Sequence, residues 1–414
     1  MEDEQVLGCI WLSETARLAP VRQAALLRAC ASGDAFLSMS ARQAADLCGE
    51  MTAAESRRFA NKSLRRAEEI ARQNRDSGFR QLCFYDADFP KPLRHIPDPP
   101  AILYVQGRLP DFSSVPAIAV IGKRRASAYG LQIAEKMGYS LSRAGIVVVS
   151  GMAAGCDGAA HRGALKGGCP TVAVLGTPLD RCSPASNAAL MRDIAAYGAL
   201  VTEYPVGRPY TRSDFPRRNR LISGLSLGVV VCEAGRQSGT LQTAQLALDQ
   251  GRDVFAIPGS VDSPNSEGTN ELIASSGAQL VTTPQRVLAE YEGRWSALGL
   301  RPCEPSDAFR AAERSVNRKR RPQPVSAPRP AEPEKPEQEC AGPPRGESVA
   351  AAYASAVPEG PQRTLLAALS APMQIDELIE HSGVPAADAL QALTFLEIAG
   401  LVRRLPGKRF EKIQ

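Results

Sequence analysis

The 414-residue chain is predicted to be an α/β protein. Its centre reads as a Rossmann-like, doubly wound, mostly parallel sheet, with a helical N-terminal module and a C-terminal winged helix. Three observations carry that expectation. Short, near-continuously apolar runs recur between residues 116 and 259, with helix-forming stretches between them, as in strands buried on both faces. Residues 1–76 are rich in helix formers. Apolar periodicity lapses across a proline-rich stretch at 301–360 and returns at 361–414.

Taken in order, residues 1–76 form a helical (SAM-like) module. Its segment TAAESRRFANKSLRRAEEIARQNR places Phe59, Leu64, Ala67, Ile70 and Ala71 at helical spacing. Arg57, Arg58, Lys62, Arg65 and Arg66 on the same segment read as a solvated face rather than a phosphate site. The core spans 77–300. It opens with a short strand, RQLCFY, and DFPKPLRHIPDPPAILYVQG, whose prolines forbid a long helix and suggest an extended connector. The strands of the sheet are then PAIAVIG (116–122), GIVVVSG (145–151), TVAVLG (171–176), LGVVVCEA (227–234) and RDVFAIPG (252–259). In the linker, 301–360, eight prolines fall between Pro322 and Pro344, and the basic run Arg318–Arg321 precedes Glu332, Glu334, Glu337 and Glu339. This composition predicts disorder. Beyond it, Leu365, Leu366 and Leu369 mark one helix, Ile375, Leu378 and Ile379 a second, and Ala389, Leu390, Leu393 and Leu396 a third. LVRRLPGKRFEKI reads as a two-stranded wing around Pro406-Gly407, giving a winged helix-turn-helix.

Composition removes several classes of function. No apolar run approaches the ~20 residues needed to cross a bilayer, so no membrane span is expected. The acidic opening MEDEQ does not resemble a secretory signal, which makes the cytoplasm the expected location. The ten cysteines are scattered singly with no CxxC pair, and read as small buried residues in a reducing compartment. With only His95, His161 and His381 and no ligand cluster, neither a metal nor another cofactor is expected. There is no GxxxxGK[ST] loop and no GxSxG elbow. Ser150, Asp157 and His161 crowd one strand-to-helix segment, and Asp157 and His161 at i and i+4 are placed to pair structurally. No catalytic residue is predicted, and the chain is not expected to be an enzyme.

The informative feature is what ends each strand. Gly122, Gly151, Gly176 and Gly259 follow core strands, where open α/β sheets bind ligands and where helix N-termini offer free N–H groups. Cations gather nearby: Lys123, Arg124 and Arg125 after the first strand, and Arg212, Arg217, Arg218 and Arg220 around Phe215 and Asn219. Guanidinium groups pair with phosphate oxygens, and an aromatic among arginines suits unpaired bases that stack. Ser238, Gly239 and Thr240 open a helix after the fourth apolar strand, fit both to cap it and to hold a phosphate. The expected site is therefore Gly122, Lys123, Arg124, Ser150, Gly151, Arg212, Phe215, Arg217, Arg218, Asn219, Arg220, Ser238, Gly239 and Thr240. In it, N–H groups near Gly122, Gly151 and Gly239 take phosphates. Arg124, Arg212 and Arg218 neutralise charge, Phe215 stacks a base and Asn219 orients the strand.

In order and spacing, the segments FPKPLRHIPDPPAILYVQG, IGKRRASAYG, VVVSGMAAGCDGAAHRGAL, FPRRNRLISGLS, VCEAGRQSGTLQTAQLAL and GRDVFAIPGS resemble the DNA-processing protein A (DprA/Smf) family across roughly 80–300. The resemblance implies a homodimer that binds and protects single-stranded DNA with little sequence preference. It also implies loading of the recombinase RecA in natural transformation and recombination. It assigns strand contacts to Arg124, Arg212, Phe215 and Asn219. Departures are Lys123 for a usual serine, Ala154 for a usual basic residue, Pro178 for a glycine and Ser183-Pro184 for Tyr-Pro. A second reading is a nucleoside-monophosphate phosphoribohydrolase on a related core. Gln242 and Thr243 stand where that chemistry needs carboxylates. A third is duplex recognition by the winged helix, but its candidate recognition helix, 385–400, holds no Lys or Arg.

Overall fold

A computed structural model describes residues 3–295, 297–304, 360–369, 373–385, 388–389, 391–393, 396, 401–405 and 409–412. The chain divides into two compact units, 1–324 and 325–414. The proline-rich linker expected at 301–360 lies almost wholly outside the described residues.

The strands of the first unit are β1 (Arg80–Cys83), β2 (Ile102–Gly107), β3 (Ala117–Ile121), β4 (Val147–Ser150), β5 (Thr171–Val174), β6 (Ala199–Thr202), β7 (Gly228–Val231), β8 (Asp253–Ala256) and β9 (Gln279–Leu280). They form one nine-stranded sheet in the order β1-β2-β6-β5-β4-β3-β7-β8-β9. Neighbours from β6 through β9 pair in parallel, whereas β2 runs antiparallel to both β6 and β1. Side-chain alternation feeds two cores. Ala117, Ala119, Ile121, Val147 and Val149 enter one, and Ile118, Val120 and Val148 the other. Both faces are dry, which is why the strands read as unbroken apolar runs.

The N-terminal helices are α1 (Glu4–Trp11), α2 (Pro20–Ala29), α3 (Ala35–Ser38), α4 (Ala41–Cys48), α5 (Ala53–Ala60) and α6 (Arg65–Asp76). The segment expected to be helical over 52–75 is two helices, broken at 61–64. Phe59, Ala67, Ile70 and Ala71 are buried as expected, while Leu64 is half-buried. The basic residues of this segment are not uniformly solvated. Arg58 donates to the carbonyls of Ala16 and Arg17, and Lys62 donates to the Phe36 carbonyl at 2.7 Å beneath the Phe59 ring. Trp11, Phe36 and Phe59 share one core with β2 and β6.

The other helices are α7 (Lys91–Arg94), α8 (Ala128–Arg143), α9 (Cys156–Gly167), α10 (Ala188–Tyr197), α11 (Asp214–Gly224), α12 (Gly239–Asp249), α13 (Glu267–Ala274) and α14 (Pro284–Tyr291). α8, α9 and α14 cover one face of the sheet; α10, α11 and α12 lie on the other. Small residues let α8 and α9 touch: a Cβ on Gly138 would run into the Ala160 carbonyl, and one on Gly163 into that of Glu135. Two expectations need correction. The extended connector ends in β2, a full member of the sheet, and β6 completes the pairing beside it. ILYVQG follows five prolines and ALVT runs straight into Glu203-Tyr204-Pro205, so neither stands out as the other core runs do.

In the second unit, α15 (Pro361–Ala368) and α16 (Ile375–Ser382) accompany β10 (Met373–Gln374), β11 (Val402–Leu405) and β12 (Arg409–Lys412), an antiparallel sheet ordered β10-β12-β11. Leu365, Leu366, Leu369, Leu378, Ala389, Leu393 and Leu396 are buried together with Phe410. Leu390 and the Pro406-Gly407 turn lie outside the described residues.

Candidate nucleic-acid interface

The chain crosses from β3 outward through β4, β5 and β6, then returns to place β7 on the other side of β3. This reversal is the topological switch point, where the connections leave in opposite directions and open a crevice at the carboxyl ends. A cavity of about 550 Å³ lies there. The segment after β3 lines it with Gly122, Lys123, Arg124 and Arg125. The start of α11 and the loop before it supply Arg212, Phe215, Pro216, Arg218 and Asn219. Ser238, Gly239, Thr240, Gln242 and Thr243 come from the start of α12. Three segments far apart in sequence thus meet, bringing together ten of the fourteen expected site residues. Ser150, Gly151, Arg217 and Arg220 are not among those lining it.

Local interactions set each wall. Arg208 grips Asp214 through both guanidinium nitrogens at 3.3 and 3.2 Å, and Asp214 also accepts from the Thr211 N–H at 2.7 Å. Burial raises the Asp214 pKa, but these donors outweigh it and hold the carboxyl below its usual range. The clamp anchors the loop on which exposed Arg212 stands and sits on Asp214, the first residue of α11, just ahead of Phe215. Phe215 is half-buried, its ring against Gly176, where a Cβ would stand 2.7 Å away. The exposed Arg124 guanidinium lies 5.3 Å over that ring. Lys123 donates to the Asn265 side chain, and Ser238 caps α12 by accepting from the Thr240 N–H at 3.2 Å. Ser238 therefore caps and lines at once, both roles the sequence allows.

Several expected contacts are spent elsewhere. Arg218 is 3% exposed: it donates to the Gly151 carbonyl at 2.8 Å, to the Val174 carbonyl and to Asn219 Oδ1 at 3.2 Å. Burial lowers its pKa to about 10, against the attraction of Asp157. It lines the cavity as a tie between strand ends rather than as a free cation. Arg220 is a structural ion. Its guanidinium bonds both oxygens of Glu203 at 2.6 Å and pairs with Asp98 at 2.7 Å. Arg217 is exposed outside the cavity. Ser150 is buried and donates to the Val120 carbonyl at 2.6 Å, inside the sheet. Gly151 packs against Asp157 and Arg218: a Cβ on it would stand 2.7 Å from Asp157 Oδ2 and 2.6 Å from an Arg218 nitrogen.

The four strand-end glycines do not converge on one ligand. Gly176 makes room for Phe215, Gly259 for Ser266 and Gly122 for Cys156, and of the four only Gly122 lines the cavity. His161 meets Thr171 Oγ1 at 2.8 Å, and burial raises the Asp157 pKa against the attraction of Arg218. What sequence reasoning missed is that Asp157 forms part of the cavity wall. Asp157 needed the fold to bring Arg218 from α11, 61 positions later, onto Gly151.

The remaining wall is cationic: Lys123, Arg124, Arg125 and Arg212. Such a rim suits an anionic polymer, and Gln242 and Thr243, which also line the cavity, carry no titratable carboxyl. Among the described residues no group of three or more His, Cys, Asp or Glu is placed to hold a metal ion, and no helix is long and apolar enough to cross a membrane.

With this geometry in view, comparison with known proteins is direct. The family model for DNA recombination-mediator protein A matches residues 80–292, and that for the DprA winged helix domain matches 349–408. The Smf protein of Synechocystis sp. is 33% identical over 346 residues, covering 79% of this chain and 78% of that protein. The DNA processing protein DprA of Streptococcus pneumoniae is 42% identical over 214 residues, 52% of this chain and 75% of that one. The X-ray structure of DprA from Streptococcus pneumoniae superposes with a TM-score of 0.61 at 33% identity, covering 70% of this chain and 98% of that chain. The switch-point cavity, the segments that build it and these matches all fall on one group, and the chain belongs to the DprA/Smf family of DNA processing proteins.

Proposed function

We propose that this protein binds single-stranded DNA without sequence preference along the cationic rim of the switch-point cavity. The observation that carries the reading is the convergence of Arg124, Arg125 and Arg212, all exposed, around half-buried Phe215. Guanidinium groups take backbone phosphates in any sequence, and unpaired bases stack on the aromatic and guanidinium planes. Arg124 lies over the Phe215 ring, so a base reaches this stack either by displacing Arg124 or by adding to its outer face. Membership of a recombination-mediator family supports the further proposals: a homodimer, acting in the cytoplasm, protects the strand and loads RecA in transformation and recombination. It acts as a binder and not an enzyme. Hydrolysis of a nucleoside monophosphate would need carboxyls poised for proton transfer, and Gln242 and Thr243 line the cavity where they would be needed.

Fluorescence anisotropy of a labelled oligothymidine against its duplex tests this. Single-strand preference is expected, with Phe215→Ala weakening binding by about 1–3 kcal/mol. Equal affinity for single and double strands defeats the reading.

A further inference from the structure

We propose that Glu233 is a positioning residue for single-strand binding: it fixes the segment that carries Arg124 and Arg125, so that both cations stand ready on the rim before the strand arrives. The inference deepens the single-strand reading and rests on it.

Glu233 lies two residues beyond β7 and is 2% exposed. Its carboxylate reaches the segment that leaves the neighbouring strand β3. Oε2 accepts the Ser127 N–H at 2.9 Å, and Oε1 accepts the Ser127 hydroxyl at 2.6 Å. Ser127 in turn caps α8, accepting the Gly130 N–H at 3.1 Å. Gly130 leaves room for the carboxylate: a Cβ there would stand 2.5 Å from Glu233 Oε2. A second anchor holds the other end of the segment. The Lys123 carbonyl accepts the Cys156 N–H at 3.2 Å. Gly155, with φ of +79°, packs so closely that a Cβ on it would strike the Lys123 and Arg124 carbonyls. Arg124, Arg125 and Ala126 are the whole span between the two anchors.

A loop that must be ordered when its ligand arrives binds more weakly than one ordered beforehand. Fixing Lys123 and Ser127 leaves the three residues between them little freedom, and it holds the Arg124 guanidinium over the Phe215 ring. Charge and position make opposite demands of Glu233. A carboxylate beside a cationic rim repels an anionic strand, so on charge alone its removal should strengthen binding. If it positions the rim, its removal should weaken binding, because Ser127 is released. An amide separates the two effects. Glu233→Gln removes the charge, keeps an oxygen for the Ser127 N–H and offers an N–H to the hydroxyl oxygen.

The test is anisotropy titration of a labelled oligothymidine with the full chain, in a mutant cycle. Circular dichroism first establishes that each variant folds. Glu233→Ala should bind at least about threefold more weakly than wild type, and Glu233→Gln should recover most of that loss. In the Glu233→Ala background, Arg124→Ala should cost at least about threefold less affinity than it costs in wild type. Arg212→Ala, on the loop before α11, should cost the same in both backgrounds. Four results overturn the proposal: binding by Glu233→Ala as tight as wild type, no recovery in Glu233→Gln, an unchanged Arg124→Ala cost, or costs of both arginines reduced alike, which would mark a general loss of structure. Should Glu233→Ala not fold, Ser127→Ala, which loses the hydroxyl bond without a change of charge, takes its place in the cycle with the same signs expected. A wild type that does not bind oligothymidine removes the single-strand reading and this proposal with it. A wild type that binds without the Arg124 coupling removes the proposal alone.

Discussion

The arginines of the TRSDFPRRNR segment look alike in sequence and differ in what surrounds them. Arg220 is desolvated between Glu203 and Asp98, which together hold its charge on. Arg220→Ala should strand two carboxylates and cost about 3–5 kcal/mol of stability. Arg124→Ala and Arg212→Ala, on exposed cations, should change stability by less than about 0.5 kcal/mol. Urea unfolding of the three variants checks the contrast. Burial also governs His161, whose pKa is pushed down to about 3, with the Arg218 and Arg162 charges adding to the effect. Its unfolded value is near 6.5, so between those limits the unfolded chain takes up a proton that the native protein refuses. The stabilising contribution of neutral His161 is complete above pH ~6.5 and is lost as pH falls toward ~3, by at most about 1.4 kcal/mol per pH unit. Urea denaturation of His161→Asn should therefore lose stability less steeply than wild type between pH 6.5 and 5. Equal slopes would show that His161 is not the group that titrates.

At the scale of elements, the close approach of α11 to the ends of β4 and β5 is what the site depends on. Gly151→Ala would push a methyl group into both Arg218 and Asp157. It should lower stability by about 1–3 kcal/mol, measurable as a lower thermal midpoint. A variant as stable as wild type would mean the tie is looser than its geometry. The same elements show how far the sequence could be read. β3, β4, β5, β7 and β8 were legible because each is an apolar run bounded by glycine or a helix-forming stretch. β2 and β6 were not, since prolines precede one and the other runs straight into Glu203-Tyr204-Pro205. The set Lys123, Arg124, Arg212, Phe215 and Asn219 was legible because charge beside an aromatic at a strand or helix end has a chemical meaning on its own. The separation of Arg218 and Arg220 from the exposed arginines was not. It depends on which face of α11 turns inward, and on Glu203, Asp98 and Asp157, all distant in sequence.

For the whole molecule, the account reduces to a division of labour around one switch point. Buried ions fix the frame, and the proposed strand is given to the exposed cations. The cations come from the segment after β3 and from the connection between β6 and β7, so the rim exists only when the doubly wound sheet is complete. The family match spans both segments, from β1 to α14. The most direct test of this division is the salt dependence of single-stranded DNA binding by wild type and by the Arg124→Ala/Arg212→Ala double variant. Each phosphate neutralised adds about 0.7 to the slope of log affinity against log salt concentration. The account predicts a double variant that folds normally, binds more weakly and has a slope shallower by about 1.4. An unchanged slope in a folded double variant would contradict it, because the strand would then be held by cations other than those on this rim.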